Sequence, residues 1–412
     1  MDKLDLRRSA ELYRRSAAVV PGGVPGIRGP ENFLPGEYPM FMESGRGGRV
    51  TDVDGNEYVD LLCAYGPVLI GHAEPEIDAA VKARLDEGFC FDLVQRWQVE
   101  LMERLTRLVP SAELGIALKT GSDATTAAVR LARAHTGGTK VLRCGYHGWH
   151  DWCVEASAGI PESHQEHTLA FPYNDLERAA ALFARHRDDV AAIVLTPVGH
   201  DFDRQLEEPA DGFLAGLRAL ADEHGALLIF DEVRTGFRLG MGGAQERYGV
   251  VPDLTALGKA LGNGYAIAAL VGRQAVMQTL PEIFVSATYF PNSLEMVAAC
   301  HVLDFLVREH VPKAVSAKGE WLRSALTEIV SRLDVPASLS PYPEMPFLHF
   351  DPAHVPHADT WRTHLYRHAI RAGVFAHPRH HGFVAFRHSD EDLARVAQAF
   401  EEGLRGAAKA IR

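Results

Sequence analysis

Between residues 115 and 272 the apolar positions of this chain switch between two patterns. Short apolar runs at 115–119, 139–143, 190–195, 226–230 and 266–272 read as strands, with 190–195 apolar enough to be buried on both faces. Helical patterns lie between them. One covers 122–136 and stops at Gly137-Gly138; another covers 211–224, with Phe213, Leu214, Leu217 and Leu220 on one face and Gly225 as its stop. Strand, helix and strand at this spacing make parallel βαβ units. The N-terminal part differs: 38–42, 48–53 and 57–62, around the turn Asp54-Gly55-Asn56, read as a small antiparallel meander. Beyond about residue 293 long helical patterns take over, with short strands expected near 346–350 and 382–386. The expected layout is α/β: a large domain at 65–300 built on a mainly parallel sheet, with an N-terminal segment (1–64) and a C-terminal part (301–412) forming a smaller α+β lobe.

Composition narrows the class. A chain of 412 residues, 47% hydrophobic, can bury one large core and a smaller one. A formal net charge of −12 argues against nucleic acid or an acidic membrane surface as a partner. The five cysteines (Cys63, Cys90, Cys144, Cys153, Cys300) are odd in number, widely spaced and free of any Cys-x-x-Cys, so no disulfide framework is expected. The first twenty residues are charged and amphipathic with no apolar signal core, and no run approaches the roughly 20 apolar residues of a membrane span. A reduced, cytoplasmic protein is expected.

In an open parallel sheet, ligands bind at the carboxyl ends of the strands, and the candidate residues lie there. Thr120-Gly121-Ser122-Asp123 follows a strand and opens a helix, so free backbone N–H groups and the positive end of the helix dipole face an anion such as a phosphate. Taken alone, Ser122 could equally be a plain helix cap. Gly145-Tyr146-His147-Gly148 follows the strand 139–143; Tyr146 is placed to stack on a planar ring, or is a core or rim aromatic. Asp231 ends a strand, and Lys259 sits in the glycine-rich Leu257-Gly-Lys259-Ala-Leu-Gly-Asn-Gly264. A carboxylate at the mouth of a strand, followed by such a lysine, is what pyridoxal phosphate chemistry needs. The lysine forms a Schiff base, and the carboxylate keeps a proton on the pyridine nitrogen so that the ring acts as an electron sink. Each residue alone is a weak signal; their joint order is a strong one.

Competing motifs fail. Gly258-Lys259 is no P-loop, since no glycine stands at the required upstream position and Ala260 follows the lysine. His147-x-x-His150-Asp151 and the trio His377, His380, His381 hint at a metal, but neither offers three or four ligands at one site, so none is expected.

On these motifs the chain resembles the class III aminotransferases, pyridoxal phosphate enzymes of fold type I, and within them glutamate-1-semialdehyde aminomutases. The resemblance covers nearly the whole chain, including Val20-Pro-Gly-Gly-Val-Pro-Gly-Ile-Arg28, Tyr65-Gly-Pro-Val-Leu-Ile-Gly-His72, Phe230-Asp-Glu-Val-Arg-Thr-Gly-Phe-Arg238, Thr288 with Asn292, and His388-Ser-Asp-Glu-Asp392. It implies that Lys259 is the Schiff-base lysine and Asp231 the partner of the pyridine nitrogen. Tyr146 would stack on the ring, and Thr120, Gly121 and Ser122 would form the phosphate loop, with Thr288 reaching it from the neighbouring subunit of a homodimer. Arg28 would grip a substrate carboxylate, Tyr65 would be an aromatic wall, and about 155–172 would be a mobile lid. The cofactor implied is pyridoxal 5'-phosphate, cycling with its pyridoxamine form.

The departures surround the substrate. Thr196-Pro197 stands where the family has Glu-Pro, Gly199-His200-Asp201 replaces the aminomutase's Ala-Gly-Asn, and Ala287-Thr-Tyr-Phe-Pro-Asn-Ser293 and Pro378-Arg-His-His381 are also unlike it. The family's switching arginine aligns near Ala385, with Arg387 close by. With that pair absent, Arg28 is left to hold the single carboxylate of a substrate, with a narrow choice of amine acceptor. The reading is an aminotransferase moving an amino group between an amino acid or amine and a keto acid or aldehyde. Alternatives are intramolecular amine transfer as in the aminomutase, amino-acid racemisation or epimerisation, and a non-catalytic binding protein on this scaffold.

Overall fold

A computed structural model describes every residue except 1, 156–157, 188 and 200–203. The chain divides into two compact units: Met1–Glu74, Phe202–Leu206 and Lys313–Arg412 make one, and Pro75–Asp201 with Glu207–Pro312 the other.

The second unit is built on a seven-stranded sheet. Its strands are β1 (Leu114–Leu118), β2 (Lys140–Cys144), β3 (Thr168–Ala170), β4 (Val190–Leu195), β5 (Leu227–Asp231), β6 (Leu254–Leu257) and β7 (Ala268–Gly272). They lie in the order β1-β7-β6-β5-β4-β2-β3. From β6 to β3 every neighbour is parallel. β7 runs antiparallel to both β6 and β1. The sheet is thus mainly parallel, as its apolar runs imply.

Alternation along the strands divides the core in two. Val141, Ala192, Val194, Leu227, Ile229, Leu254 and Ala256 join one cluster, with Ala124, Ala127, Ala128, Leu131 and Ala132 of the helix Gly121–Thr136. Leu142, Ile193, Leu195, Leu228 and Phe230 join the other, with Leu182 and Phe183 of the helix Leu176–Arg185 and Phe213, Leu214 and Leu217 of the helix Phe213–Glu223. Successive side chains of a strand point to opposite faces, so a helix layer on each side buries both sets. The alanines let the helix Gly121–Thr136 lie close to the sheet. A capping box starts that helix: Thr120 Oγ1 accepts from Asp123 N at 3.1 Å, and Asp123 Oδ2 accepts from Thr120 N at 2.8 Å. Gly137, at φ 77°, ends it in the left-handed conformation that favours glycine.

The first unit holds the antiparallel strands Met42–Arg46, Arg49–Asp52 and Glu57–Asp60, with Val374–Phe375 added parallel to the last. Its core gathers Val59, Leu61, Leu365, Ala369, Leu393, Val396 and Phe400, contributed in part by the helices Ala358–Arg371 and Asp390–Ile411. Two expected strands fall elsewhere. The first strand of the meander is Met42–Arg46; residues 38–41 lead into it, with Tyr38 buried and its hydroxyl donating to Ala376 O at 2.7 Å. The stretch 382–386 forms no strand: Gly382, Phe383, Val384 and Phe386 donate to Pro346, Leu61, Glu344 and Leu69 in turn, so no single ladder can form. No helix among the described residues is long and apolar enough to cross a membrane.

Leu217 is fully buried between the helix Phe213–Glu223 and the sheet. Leu217→Ala leaves a cavity in a two-sided core and is expected to cost about 3 kcal/mol. Urea unfolding followed by far-UV circular dichroism measures this, and an unchanged midpoint would contradict the packing described.

Candidate functional site

The candidate site is assembled at the carboxyl ends of β5, β6 and β1. Asp231 is the last residue of β5 and is 5% exposed. An isolated carboxylate at that depth would be costly, so its partners matter. Its Oδ1 accepts from the backbone N of Val233 at 3.1 Å, and its Oδ2 lies 3.0 Å from His147 Nδ1. A carboxylate only accepts, so this bond places a proton on His147 Nδ1. The His147 ring lies parallel to Trp152 at 6.1 Å, and Thr125 Oγ1 donates to His147 O at 2.8 Å, pinning the loop to the helix Gly121–Thr136. His147 Nε2 is buried and has no hydrogen-bond partner among the described residues.

Lys259 opens a short 3₁₀ turn after β6 at φ 43°, a conformation few non-glycine residues adopt. Its ammonium is pulled down to about 8, chiefly by desolvation and then by Arg234; Asp231 opposes this, and Arg238 adds to it. An amine so placed is partly neutral near physiological pH.

One side chain joins the three motifs. A Cβ on Gly121 would lie 2.9 Å from both methyls of Val233, and one on Gly258 would lie 3.3 Å from Val233 Cγ1. Val233 is therefore wedged between the glycine at the helix start and the glycine before Lys259, two residues beyond Asp231. Gly148, at φ 111°, closes on Ser122 from the other side, where any Cβ would collide with Ser122 Oγ.

The Thr120 hydroxyl is engaged with Asp123, to which it donates at 2.8 Å. The anion donors of this corner are the first-turn N–H groups of Gly121 and Ser122, which precede any intrahelical acceptor, together with the Ser122 hydroxyl. Tyr146, in the loop after β2, is 65% exposed. Thr196 ends up next to Gly145, with its Oγ1 buried and without a hydrogen-bond partner among the described residues. Thr288 lies on an exposed loop and makes no hydrogen bond to Gly121 or Ser122 within the chain.

Arg28 and Tyr65 belong to the first unit. The Arg28 guanidinium sits 5.5 Å over the Tyr65 ring and makes no ion pair among the described residues. The Tyr65 hydroxyl donates to Ile27 O at 3.3 Å, and burial pushes it up to about 12 although Arg28 opposes the shift. Cys63, Ala64 and Tyr65 all take positive φ, a strained turn that fixes the ring. The histidine trio is packed with this ring: Tyr65 lies 5.9 Å from His377 and 5.2 Å from His380, and His380 stacks on His381 at 4.1 Å. Burial, reinforced by Arg379, drives His377 down to about 3, so it is neutral. Arg387 is held by Glu74 through two bonds of 2.9 Å. Parts of the expected lid (156–157) and of Gly199-His200-Asp201 lie outside the described residues.

Sequence reasoning did not find the His147–Asp231 bond or the wedge of Val233. The first joins residues 84 apart and the second has no spacing that signals it.

The family model for class III aminotransferases matches residues 34–387. The chain is 48% identical over 405 residues to a 3-aminobutyryl-CoA aminotransferase of Cloacimonas acidaminovorans, covering 98% of each. It is 34% identical over 430 residues to a glutamate-1-semialdehyde 2,1-aminomutase of Methanosarcina acetivorans, covering 98% of this chain and 100% of that one. Among solved structures, the internal aldimine form of the pyridoxal phosphate-bound FumI protein of Sphingopyxis sp. MTA144 superposes with a TM-score of 0.93 at 31% identity, covering 98% and 97% of the two chains. A pyridoxal phosphate enzyme of the type I fold, this chain belongs to the class III aminotransferase family.

Proposed function

We propose that this aminotransferase takes the amine of a 3-aminoacyl-CoA thioester and passes it to a keto acid, with Lys259 and Asp231 as its catalytic residues. The observation that carries the chemistry is the pairing of a desolvated lysine, pulled down to about 8, with the buried Asp231 of the same corner. The residues present fit pyridoxal phosphate. Gly121 and Ser122 N–H groups suit its phosphate, Asp231 its ring nitrogen, Tyr146 its face and Lys259 its aldehyde carbon. When bound, the cofactor supplies an electron sink for cleavage of the C–H bond beside the substrate amine. Asp231 would hold the proton on the ring nitrogen, and the bond to His147 Nδ1 keeps that carboxylate aimed. Lys259 Nζ, neutral, takes the proton from the substrate carbon and returns it.

Borohydride reduction of the purified protein followed by peptide mapping is expected to tag Lys259; a tag elsewhere ends the assignment. In cofactor-free protein, competitive labelling of Lys259 is expected to rise through about pH 8, and Arg234→Met to move that midpoint upward, since a neighbouring cation is removed. A midpoint that stays put would show that Arg234 is not a cause.

The substrate reading is supported by the 48% identity, over almost the whole of both chains, to the aminotransferase of a CoA thioester. A thioester presents no free carboxylate, whereas a keto acid does, and one site must serve both halves of the reaction. Arg28, an exposed cation over Tyr65, then grips the acceptor's carboxylate. Neutral His377 and the aromatic surroundings of Tyr65 suit the uncharged acyl group of the donor. Single-turnover spectra should show amine uptake from 3-aminobutyryl-CoA well above that from free 3-aminobutyrate. Arg28→Ala should slow the keto-acid half-reaction by on the order of 2–3 kcal/mol and the thioester half much less. Equal rates with the free acid would refute the thioester. Consumption of glutamate semialdehyde without external donor or acceptor would replace this reading with the aminomutase one, which the 34% relative keeps open.

The enzyme is further proposed to be a cytoplasmic homodimer in which Thr288 of each subunit serves the other's phosphate. Its five cysteines are all free. Phe91, Leu93, Val94, Phe284 and Tyr289 of the second unit are 50% to 81% exposed, an apolar surface that a partner would cover. Light scattering should give twice the chain mass. A fully active monomer would remove Thr288 from the site.

A further inference from the structure

Lys119 has no part in the chemistry above, yet its side chain is only 15% exposed and is ion-paired. It is the residue between the end of β1 and the cap Thr120. Its Nζ donates to Glu295 Oε2 at 2.7 Å and to the backbone O of Asn292 at 3.3 Å. Asn292 Nδ2 donates to the same Glu295 oxygen at 3.3 Å. Glu295 lies in the first turn of the helix Leu294–Arg308, where the dipole favours a carboxylate. The network continues through the cap of that helix. Ser293 N donates to Phe89 O at 3.1 Å, Ser293 Oγ bonds Gln95 Oε1 at 2.7 Å, and Arg84 Nε donates to Ser293 Oγ at 3.0 Å. Gln95 Nε2 in turn donates to Phe89 O at 2.9 Å.

This places one ammonium at a junction. On one side, one peptide away, stands the phosphate corner Thr120-Gly121-Ser122. On the other stand Asn292, four residues after Thr288, and a brace that closes the loop carrying exposed Phe91, Leu93 and Val94. A partly buried ion pair is a costly way to hold a loop unless its direction matters, since much of its attraction is offset by desolvation.

We propose that Lys119 is a positioning residue that ties a subunit's own phosphate corner to the segment 288–292 and the apolar loop it presents to its partner, so that cofactor binding and dimer contact reinforce each other. The proposal rests on the shared-site reading of Thr288. By linkage, a tie of this kind acts in both directions: the cofactor tightens the dimer, and the dimer tightens the cofactor. Without the Lys119–Glu295 pair, the corner and the segment move independently.

The test measures pyridoxal phosphate affinity by equilibrium dialysis and dimer dissociation by sedimentation, with and without the cofactor. In wild type, cofactor is expected to tighten the dimer. Lys119→Met and the isosteric Glu295→Gln are each expected to weaken cofactor binding roughly tenfold and to abolish that tightening. The charge swap Lys119→Glu with Glu295→Lys is expected to restore much of it, which a variant that merely misfolds could not do. Combined with Thr288→Ala, the Lys119→Met loss should be less than additive, as for groups acting in one chain of contacts. Wild-type linkage in Lys119→Met, a swap that restores nothing, or strict additivity overturns the proposal. Thr288→Ala with wild-type cofactor affinity overturns instead the shared-site reading beneath it, and does so with Lys119 intact.

Discussion

Everything in the second unit's candidate site hangs on a carboxylate ending a strand that is otherwise sealed in hydrocarbon. Leu228, Ile229 and Phe230 have no exposed surface, and the next residue is Asp231. Burying it there requires donors that cannot drift away, because a buried carboxylate without partners is costly. Two are supplied, by the Val233 backbone and by His147. His147 is in turn held by its own carbonyl, which accepts from Thr125, and by the Trp152 face. The position of the loop 145–148 thus follows from the need to satisfy Asp231.

The same residue pair organises the rest. Glu232 points away from the site, where it accepts from Thr235 Oγ1 and from the backbone of Ala244 and Gln245. That leaves Val233 to face the site, and its methyl groups tolerate only glycine at 121 and only the closest approach at 258. Helix start, carboxylate and lysine are brought together by excluded volume, with hydrogen bonds supplying direction. Arg234, which follows immediately, completes the effect by helping to depress Lys259. Four consecutive residues therefore set a buried anion, an anchor for its surroundings, a steric gauge and a charge that tunes the amine.

What the sequence disclosed follows the same division. Strands β4 and β5 and the helices on either side were legible because burial on both faces leaves unbroken apolar runs, and a helix with Phe213, Leu214 and Leu217 on one face has a period of its own. Lys259 and Asp231 could be singled out because pyridoxal phosphate chemistry requires a particular residue type at a particular place. Contacts that depend on the fold were not. His147 and Asp231 are 84 residues apart and Lys119 and Glu295 are 176 apart, and neither pair leaves a pattern in the chain between them. The stretch 382–386 misled for a related reason: it is apolar because it is buried, but its N–H groups are divided among segments that are far apart in sequence.

The substitutions that separate this chain from the aminomutases can be read in the same physical terms. Thr196 places a short buried hydroxyl, unpartnered among the described residues, where a carboxylate would need a cation nearby. In the first unit, Arg387 is occupied with Glu74 through two hydrogen bonds. There too the exposed Arg28 guanidinium lies over the Tyr65 ring, which packs against the buried His377 and His380. An exposed guanidinium over an aromatic ring offers a partner to an anion and a surface to an uncharged group, and the proposed choice between a keto acid and an acyl thioester rests on that contrast.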